Sequence, residues 1–446
     1  MAQRKASKRS GSKTAKQSTA EKTITPPLWE KVPALKDSRW IIPVLLYLTV
    51  LAVWSDVVFR DAVLSVGGDR IAGVSFRRIV AYWLGKGVFP FWNPYLYGGV
   101  AMFESFQSSW LLYPGVMLFE GPFADAANPG FFSGGLAWLL FFNSNVDFIL
   151  IHHLLGAVGV FLLARHFGMN AWIQYLVALA WLLSPQLVVL GDVGHGSKLY
   201  AMNWLPWALL TADRAMERIT AGRLAAAGAV FAMMMASQHI QVAYYGYMLT
   251  GLWWAVRLVR NIQAKQASKS LREFGAFAFA GVMGLLATGV IYFNTLSYSQ
   301  DTIRGGGLGW EYATNWSYHP LESISMFVPD FFGFGGRTYW GYLPFTDMPL
   351  YWGVPIAVLA LAALLLVRTW KVWGLFVAGL LAWITSWGSF APILYRPFYE
   401  FLPYFDKFRV PMMIHVLVLL AAVLLAGMGL QRLLEIRAQA DEALRR

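Results

Sequence analysis

Residues 410–430 read VPMMIHVLVLLAAVLLAGMGL, twenty-one positions without a formal charge. A helical run of about 20 apolar residues spans the roughly 30 Å of hydrocarbon in a bilayer, because a helix closes its backbone hydrogen bonds within the segment. Comparable runs recur near 40–58, 146–164, 172–190, 199–213, 222–237, 240–258, 273–295, 349–367 and 373–388. Of the 446 residues, 57% are hydrophobic and 13% charged, about half the charge of an ordinary soluble domain. A soluble globular fold is thereby excluded. The chain reads as an all-α integral membrane protein of about 10–12 transmembrane helices. Two weaker apolar stretches, near 99–119 and 131–142, form a re-entrant or interfacial pair in this reading. Cysteine is absent, which removes disulfides, thiol nucleophiles and Cys-ligated metals.

Charge sets the orientation. The formal net charge of +12 is concentrated in residues 1–39, which hold ten Lys or Arg against Glu21, Glu30 and Asp37. That tail is rich in Ser, Thr, Lys and Ala, a composition that cannot bury a core and is expected to be disordered. Placing it in the cytoplasm and alternating the spans puts 25 of the 36 Lys/Arg, but nine of the 24 acids, on the cytoplasmic side. This is the positive-inside pattern of a multi-pass cytoplasmic (inner) membrane protein with both termini cytoplasmic. Residues 40–430 form the membrane domain, with external loops 59–145, 296–348 and 389–409, and 431–446 form a cytoplasmic C-terminal tail. Anionic headgroups beside the tail are its expected partner, and nucleic acid is not.

Chemistry is sought in the external loops. Asp69, in Gly67-Gly68-Asp69-Arg70, either caps a short helix starting at Ile71 or serves as a general base at the membrane mouth. Asp56, near the end of the first span, is a competing acid. The stretch Phe89 to Gly99, followed by Glu104, Gln107 and Tyr113-Pro114, combines a Pro/Gly-fixed path with aromatic faces that suit a sugar, a lipid or the interfacial belt. In Gly191 to Lys198, His195 can shuttle protons and Lys198 can pair with a phosphate. His239 and Gln241 open a later helix on the same side, where hydrogen-bonding side chains suit a sugar or helix packing. Asp301 and Arg304 are three apart, and Arg304 adjoins three glycines; Glu322 follows, and Arg409 precedes the last span. His152 and His153 are adjacent, point about 100° apart on a helix and cannot chelate one ion. No P-loop, dinucleotide fingerprint or metal motif occurs, so no cofactor and no metal is expected.

Taken in order, Gly68-Asp69, Pro90-Phe91-Trp92-Asn93-Pro94, Gly98-Gly99, Gln107 and Tyr113-Pro114 resemble the YfhO family of bacterial membrane proteins. So do Gly194-His195 with Lys198, His239 with Gln241 and Tyr244-Tyr245, Arg304-Gly305-Gly306, Pro320 with Glu322, Tyr351-Trp352-Gly353 and Phe408-Arg409-Val410-Pro411. That family is related to the C-type (GT-C) glycosyltransferases. The resemblance implies a GT-C-like architecture and transfer of a sugar from a polyprenyl-phosphate donor to a cell-envelope acceptor outside the membrane, with inversion. It implies Asp69 as catalytic base and Lys198, Arg304 or Arg409 as ligands of the donor phosphate. Many relatives carry a further external domain after the helix matching 410–430, which this sequence does not show. The alternative is a non-catalytic membrane protein that binds, moves or scaffolds a lipid-linked envelope intermediate.

Overall fold

The computed structural model describes residues 38–60, 62, 64, 68–114, 140–141, 148–302, 307–346 and 349–444, the side chains of 38, 39, 68–72 and 74 excepted. Among the described residues the protein is all-α apart from one minimal hairpin and a single bridge between Gly335 and Thr346. Its helices are α1 (Ser38–Val53), α2 (Ser55–Phe59), α3 (Gly68–Gly85), α4 (Phe148–His166), α5 (Ala171–Leu182), α6 (Pro185–Asp192), α7 (Gly196–Glu217), α8 (Ala221–Ala236), α9 (Ile240–Gln263), α10 (Ala267–Ala287), α11 (Gly289–Ser299), α12 (Gly309–Ala313), α13 (Val354–Leu366), α14 (Trp370–Ser386), α15 (Tyr395–Phe401) and α16 (His415–Ala443). The hairpin pairs β1 (Trp92–Asn93) antiparallel with β2 (Val100–Ala101).

Among the described residues, α4, α10 and the continuous stretch Pro411–Ala443 are long and apolar enough to cross a membrane, and the bent pair α5–α6 makes a fourth. Helices α8, α13 and α14 and the stretch Trp40–Val53 are shorter but apolar. The core lies where α4, α5, α7, α8, α9, α14 and α16 meet, around Trp181, Trp253, Phe231 and Tyr245. Small residues set the closest approaches: a Cβ on Gly429 of α16 would lie 1.9 Å from the Leu359 carbonyl oxygen of α13. Backbone contact of this kind is how helices associate where the solvent is as apolar as their side chains.

The structure corrects several boundaries. The run 172–190 is two helices bent by 40°, because Pro185 has no N–H to continue the α5 ladder and instead opens α6 at its first turn. The run 273–295 breaks at Thr288, whose hydroxyl donates back to the Gly284 carbonyl. Residues 99–114, read as an apolar stretch, form β2, a turn and the 3-10 segment Ser109–Leu112. Helix α3 starts at Gly68 rather than Ile71, so Asp69 belongs to its first turn. Asp56 is exposed and ion-paired with Arg60 at 3.0 Å. The last helix continues to Ala443, through the segment read as a tail.

At one end of the bundle Arg257 of α9 is 2% exposed and bridges two carboxylates: Nη1 to Asp213 Oδ1 of α7 at 2.7 Å, Nη2 to Glu273 Oε1 of α10 at 2.8 Å. Trp253 donates to Asp213 and Asn261 to Glu273. Removing one member of such a buried network strands charge and costs about 3–5 kcal/mol. Arg257→Met is therefore expected to lower Tm sharply in detergent thermal unfolding; an unchanged Tm would show that the network does not hold the bundle.

Candidate functional site

The opposite end of the bundle is built from the start of α7, the α8–α9 turn and the segment before α16. Gly194, at φ +87, turns the chain out of α6, and His195 stands at the N-cap of α7. One turn on, Lys198 is 8% exposed and its Nζ lies 3.2 Å from His195 Nδ1. An ammonium only donates, so Nδ1 accepts and Nε2 carries the ring proton.

His239 caps α9, its Nδ1 accepting from the Val242 N–H at 3.3 Å. Burial, together with the nearby Lys198 and His195, pushes the His239 imidazole down from 6.5 to about 3, so it is neutral at physiological pH. Two residues on, Gln241 donates to the Tyr245 hydroxyl at 2.7 Å and to the Arg409 carbonyl oxygen at 2.6 Å. Gln241 thus ties α9 to the segment that carries Arg409, whose guanidinium carbon lies 5.5 Å from the centre of the Tyr312 ring.

These elements enclose a cavity of about 240 Å³ lined by His195, Lys198, Arg409, Trp316, Phe345 and Thr346, with Val193, Val410, Met412 and Met413. That volume is somewhat below the roughly 300–1,000 Å³ of a drug-sized ligand site, and fits a headgroup rather than a chain. Two wall residues have left-handed backbone, Trp316 at φ +58 and Val410 at φ +58. A β-branched residue pays about 1–3 kcal/mol in that region and holds it only where surrounding contacts impose it. Here the imposing contacts are the Gln241 bond to Arg409 and the Met412 N–H bond to the Trp316 carbonyl.

Of the residues singled out in the sequence, His195, Lys198 and Arg409 share the cavity, and His239 and Gln241 stand directly behind it. Glu322 is elsewhere: 3% exposed, it accepts from the Tyr339 hydroxyl and from the Tyr342 N–H at 2.7 Å. Burial, and secondarily Glu322, pushes the Tyr339 phenol up. Glu322 lines a separate smaller cavity, which shares Thr346 and Met412 with the first, and acts there as a clamp on the 339–343 turn.

Glu104 and Gln107 do not line the cavity. Gln107 Oε1 lies 3.4 Å from Asn93 Nδ2, within a loop that docks on the bundle through Gln238 donating to Ser109 and Trp204 donating to the Tyr113 hydroxyl. His152 completes that docking at 2.7 Å from the same hydroxyl. The Asp69 side chain and Arg304 lie outside the described residues. The chain is described again from Gly307, where a Cβ would lie 3.3 Å from Lys407 Nζ, and Lys407 pairs with Asp406 at 3.0 Å. Trp316, Phe345 and Thr346 were not legible as site residues, since no spacing relates positions 316, 345 and 409.

The His239 shift has a sign that can be measured. Between about 3 and 6.5 the unfolded chain binds a proton at this ring and the folded chain does not, so its contribution is full above 6.5 and is lost as pH falls towards 3. His239→Asn keeps a capping acceptor for α9. It is expected to flatten the decline of Tm between pH 6.5 and 4; an identical decline in wild type and variant would place the acid sensitivity elsewhere.

No protein-family model and no curated protein matches the chain, and the chemistry of the cavity carries the functional reading.

Proposed function

We propose that the cavity binds the phosphate of a lipid-linked donor, and that the protein is a membrane glycosyltransferase working from that site. The observation that carries the reading is the meeting of His195, Lys198 and Arg409, from positions 214 residues apart in the chain, on one cavity whose other walls, Thr346 apart, are Trp, Phe, Val and Met. Cations set in apolar walls match an anionic amphiphile: the phosphate meets Lys198 and Arg409 at reduced dielectric, and the lipid chain leaves between helices.

The motif order supplies the rest. In a GT-C-like frame Asp69 takes the proton of an acceptor hydroxyl as that oxygen attacks the anomeric carbon of a polyprenyl-phosphate sugar. The bond to the lipid phosphate breaks with its electron pair going to the phosphate, the proton stays on Asp69 and the centre inverts. Lys198 and Arg409 stabilise the charge that grows on the leaving phosphate. The cavity end then faces the extracytoplasmic side of the cytoplasmic membrane, and both termini are cytoplasmic. A binding or carrier role without chemistry is the second reading, favoured by one observation: among the described residues, no carboxylate lines the cavity.

Wild type, Asp69→Asn and Lys198→Gln/Arg409→Gln, each in lipid nanodiscs, are given radiolabelled polyprenyl-phosphate sugars and envelope acceptor. Loss of a general base costs about 10²–10⁴-fold in turnover, so Asp69→Asn is expected to bind donor and turn over at that reduced level, and the double variant to bind donor poorly. Binding without turnover by wild type would select the carrier reading. Unchanged binding by the double variant would remove the cavity from the donor site.

A further inference from the structure

At the end of the bundle remote from the cavity, His166 closes α4 while Asp213 and Glu217 lie one turn apart near the end of α7. We propose that these three side chains form a binding site for a divalent transition-metal ion of the Zn²⁺ type. His166 Nε2 lies 2.8 Å from Asp213 Oδ2 and 3.6 Å from Glu217 Oε1, and the three donor atoms all lie within 4.8 Å of one another. Tetrahedral Zn²⁺ with bonds of about 2.0–2.2 Å holds its ligand atoms roughly 3.3 Å apart. The two separations from His166 bracket that value.

The surroundings suit an ion as well as the donors do. Carboxylates four apart share one helix face, and the imidazole comes from a second helix, so the donors converge from two rigid supports. Asp213 has one oxygen fixed by Arg257 at 2.7 Å and Trp253 at 2.8 Å, which aims the other at His166. Outer partners of this kind orient metal-bound carboxylates. Three carboxylates, Asp213, Glu217 and Glu273, surround the guanidinium of Arg257, with Lys269 4.0 Å from Glu273 and with Arg260 and Lys371 sharing the Trp370 ring with Arg257.

Exposure runs from 0% at Asp213 through 14% at His166 to 40% at Glu217, so the ion has a path from solvent and room for water in the remaining position. One imidazole nitrogen with two carboxylate oxygens favours Zn²⁺, Co²⁺ or Mn²⁺ over Ca²⁺ and Mg²⁺. In the ion-free arrangement the Nε2 proton of His166 is shared with Asp213. On binding, the ion takes the Nε2 lone pair and the ring proton resides on Nδ1. The bound ion pins α4 to α7, the two helices that carry His152 on one side and His195 with Lys198 on the other.

The full chain in nanodiscs, stripped with EDTA, is titrated with ZnCl2 by calorimetry and with CoCl2 by visible absorption, and its Tm is read with and without Zn²⁺. Glu217→Gln removes one ligand at a partly exposed position and leaves the buried ion pairs intact. His195→Gln/His239→Asn removes the other histidine cluster as a control. Wild type and the control are expected to bind one Zn²⁺ per chain, show Co²⁺ ligand-field bands and gain Tm. Glu217→Gln keeps the metal-free Tm, binds about ten-fold or more weakly and loses the gain. Absence of saturable binding, equal affinity in Glu217→Gln, or loss of binding only in the histidine control would each overturn the site. None of these readouts depends on glycosyl transfer.

Discussion

Arg257 sits between Asp213 and Glu273 with almost no access to water, and the positions of three helices follow from that contact. Charged groups in so dry a setting are tolerated only when each is paired in good geometry. The guanidinium answers this with one contact to each carboxylate, through Nη1 and Nη2; Trp253 shares Asp213 Oδ1 with it, and His166 and Asn261 take the outer oxygens, Asp213 Oδ2 and Glu273 Oε2. Once α7, α9 and α10 are fixed at this end, the helices carry that placement to their other ends. Fifteen residues along α7, about 22 Å at the helical rise, Lys198 reaches the cavity, while α9 runs back to Gln241 and its hold on Arg409. The site is positioned by an interaction it does not touch.

The cavity itself is held by backbone rather than by side-chain charge. Val410 and Trp316 adopt left-handed conformations on facing walls, and the chain keeps them there through carbonyl contacts from Gln241 and Met412. Strain maintained by neighbours in this way marks a place where geometry has been selected over stability. The consequence is that Arg409 arrives with its backbone carbonyl fixed, so less freedom remains to be lost when an anion binds.

The helices were legible because hydropathy reports a property of whole segments, and a segment of this apolarity has no other stable state in lipid. The breaks were less so. Pro185 was visible, but hydropathy alone does not weigh its missing N–H, and the break at Thr288 falls within an apolar run that hydropathy reads as continuous. Residues 99–114 failed as an apolar stretch because Pro and Gly on either side impose turns, and aromatic content raises hydropathy whether or not a helix forms. In the site, His195 and Lys198 were legible because one helical turn brings them together. Arg409 entered as a cation before the last span, with nothing to tie it to His195, and Trp316 and Phe345 not at all, since contacts between distant positions leave no spacing signal. Arg257 lies near the end of the run 240–258, where a charge is either at the interface or paired within, and composition does not distinguish the two.

The two ends of the bundle differ in a way that bears on what each can hold. At the cavity end, Lys198 and Arg409 face an apolar enclosure whose described lining contains no carboxylate. At the far end, His166, Asp213 and Glu217 bring their donor atoms within 4.8 Å of one another. Low dielectric magnifies the cationic imbalance of the cavity, and the far end cannot relieve it across some 22 Å of helix. An anion suits the first and a cation the second. Because α4 and α7 run between them, occupancy at either end limits the same two helices, and the loop carrying Tyr113 is docked on both of those helices, through His152 and Trp204. A ligand that tightens that pair at one end therefore reduces the motion available to the other. Such coupling requires no conformational switch, only that packed helices resist bending more than they resist sliding apart at their tips.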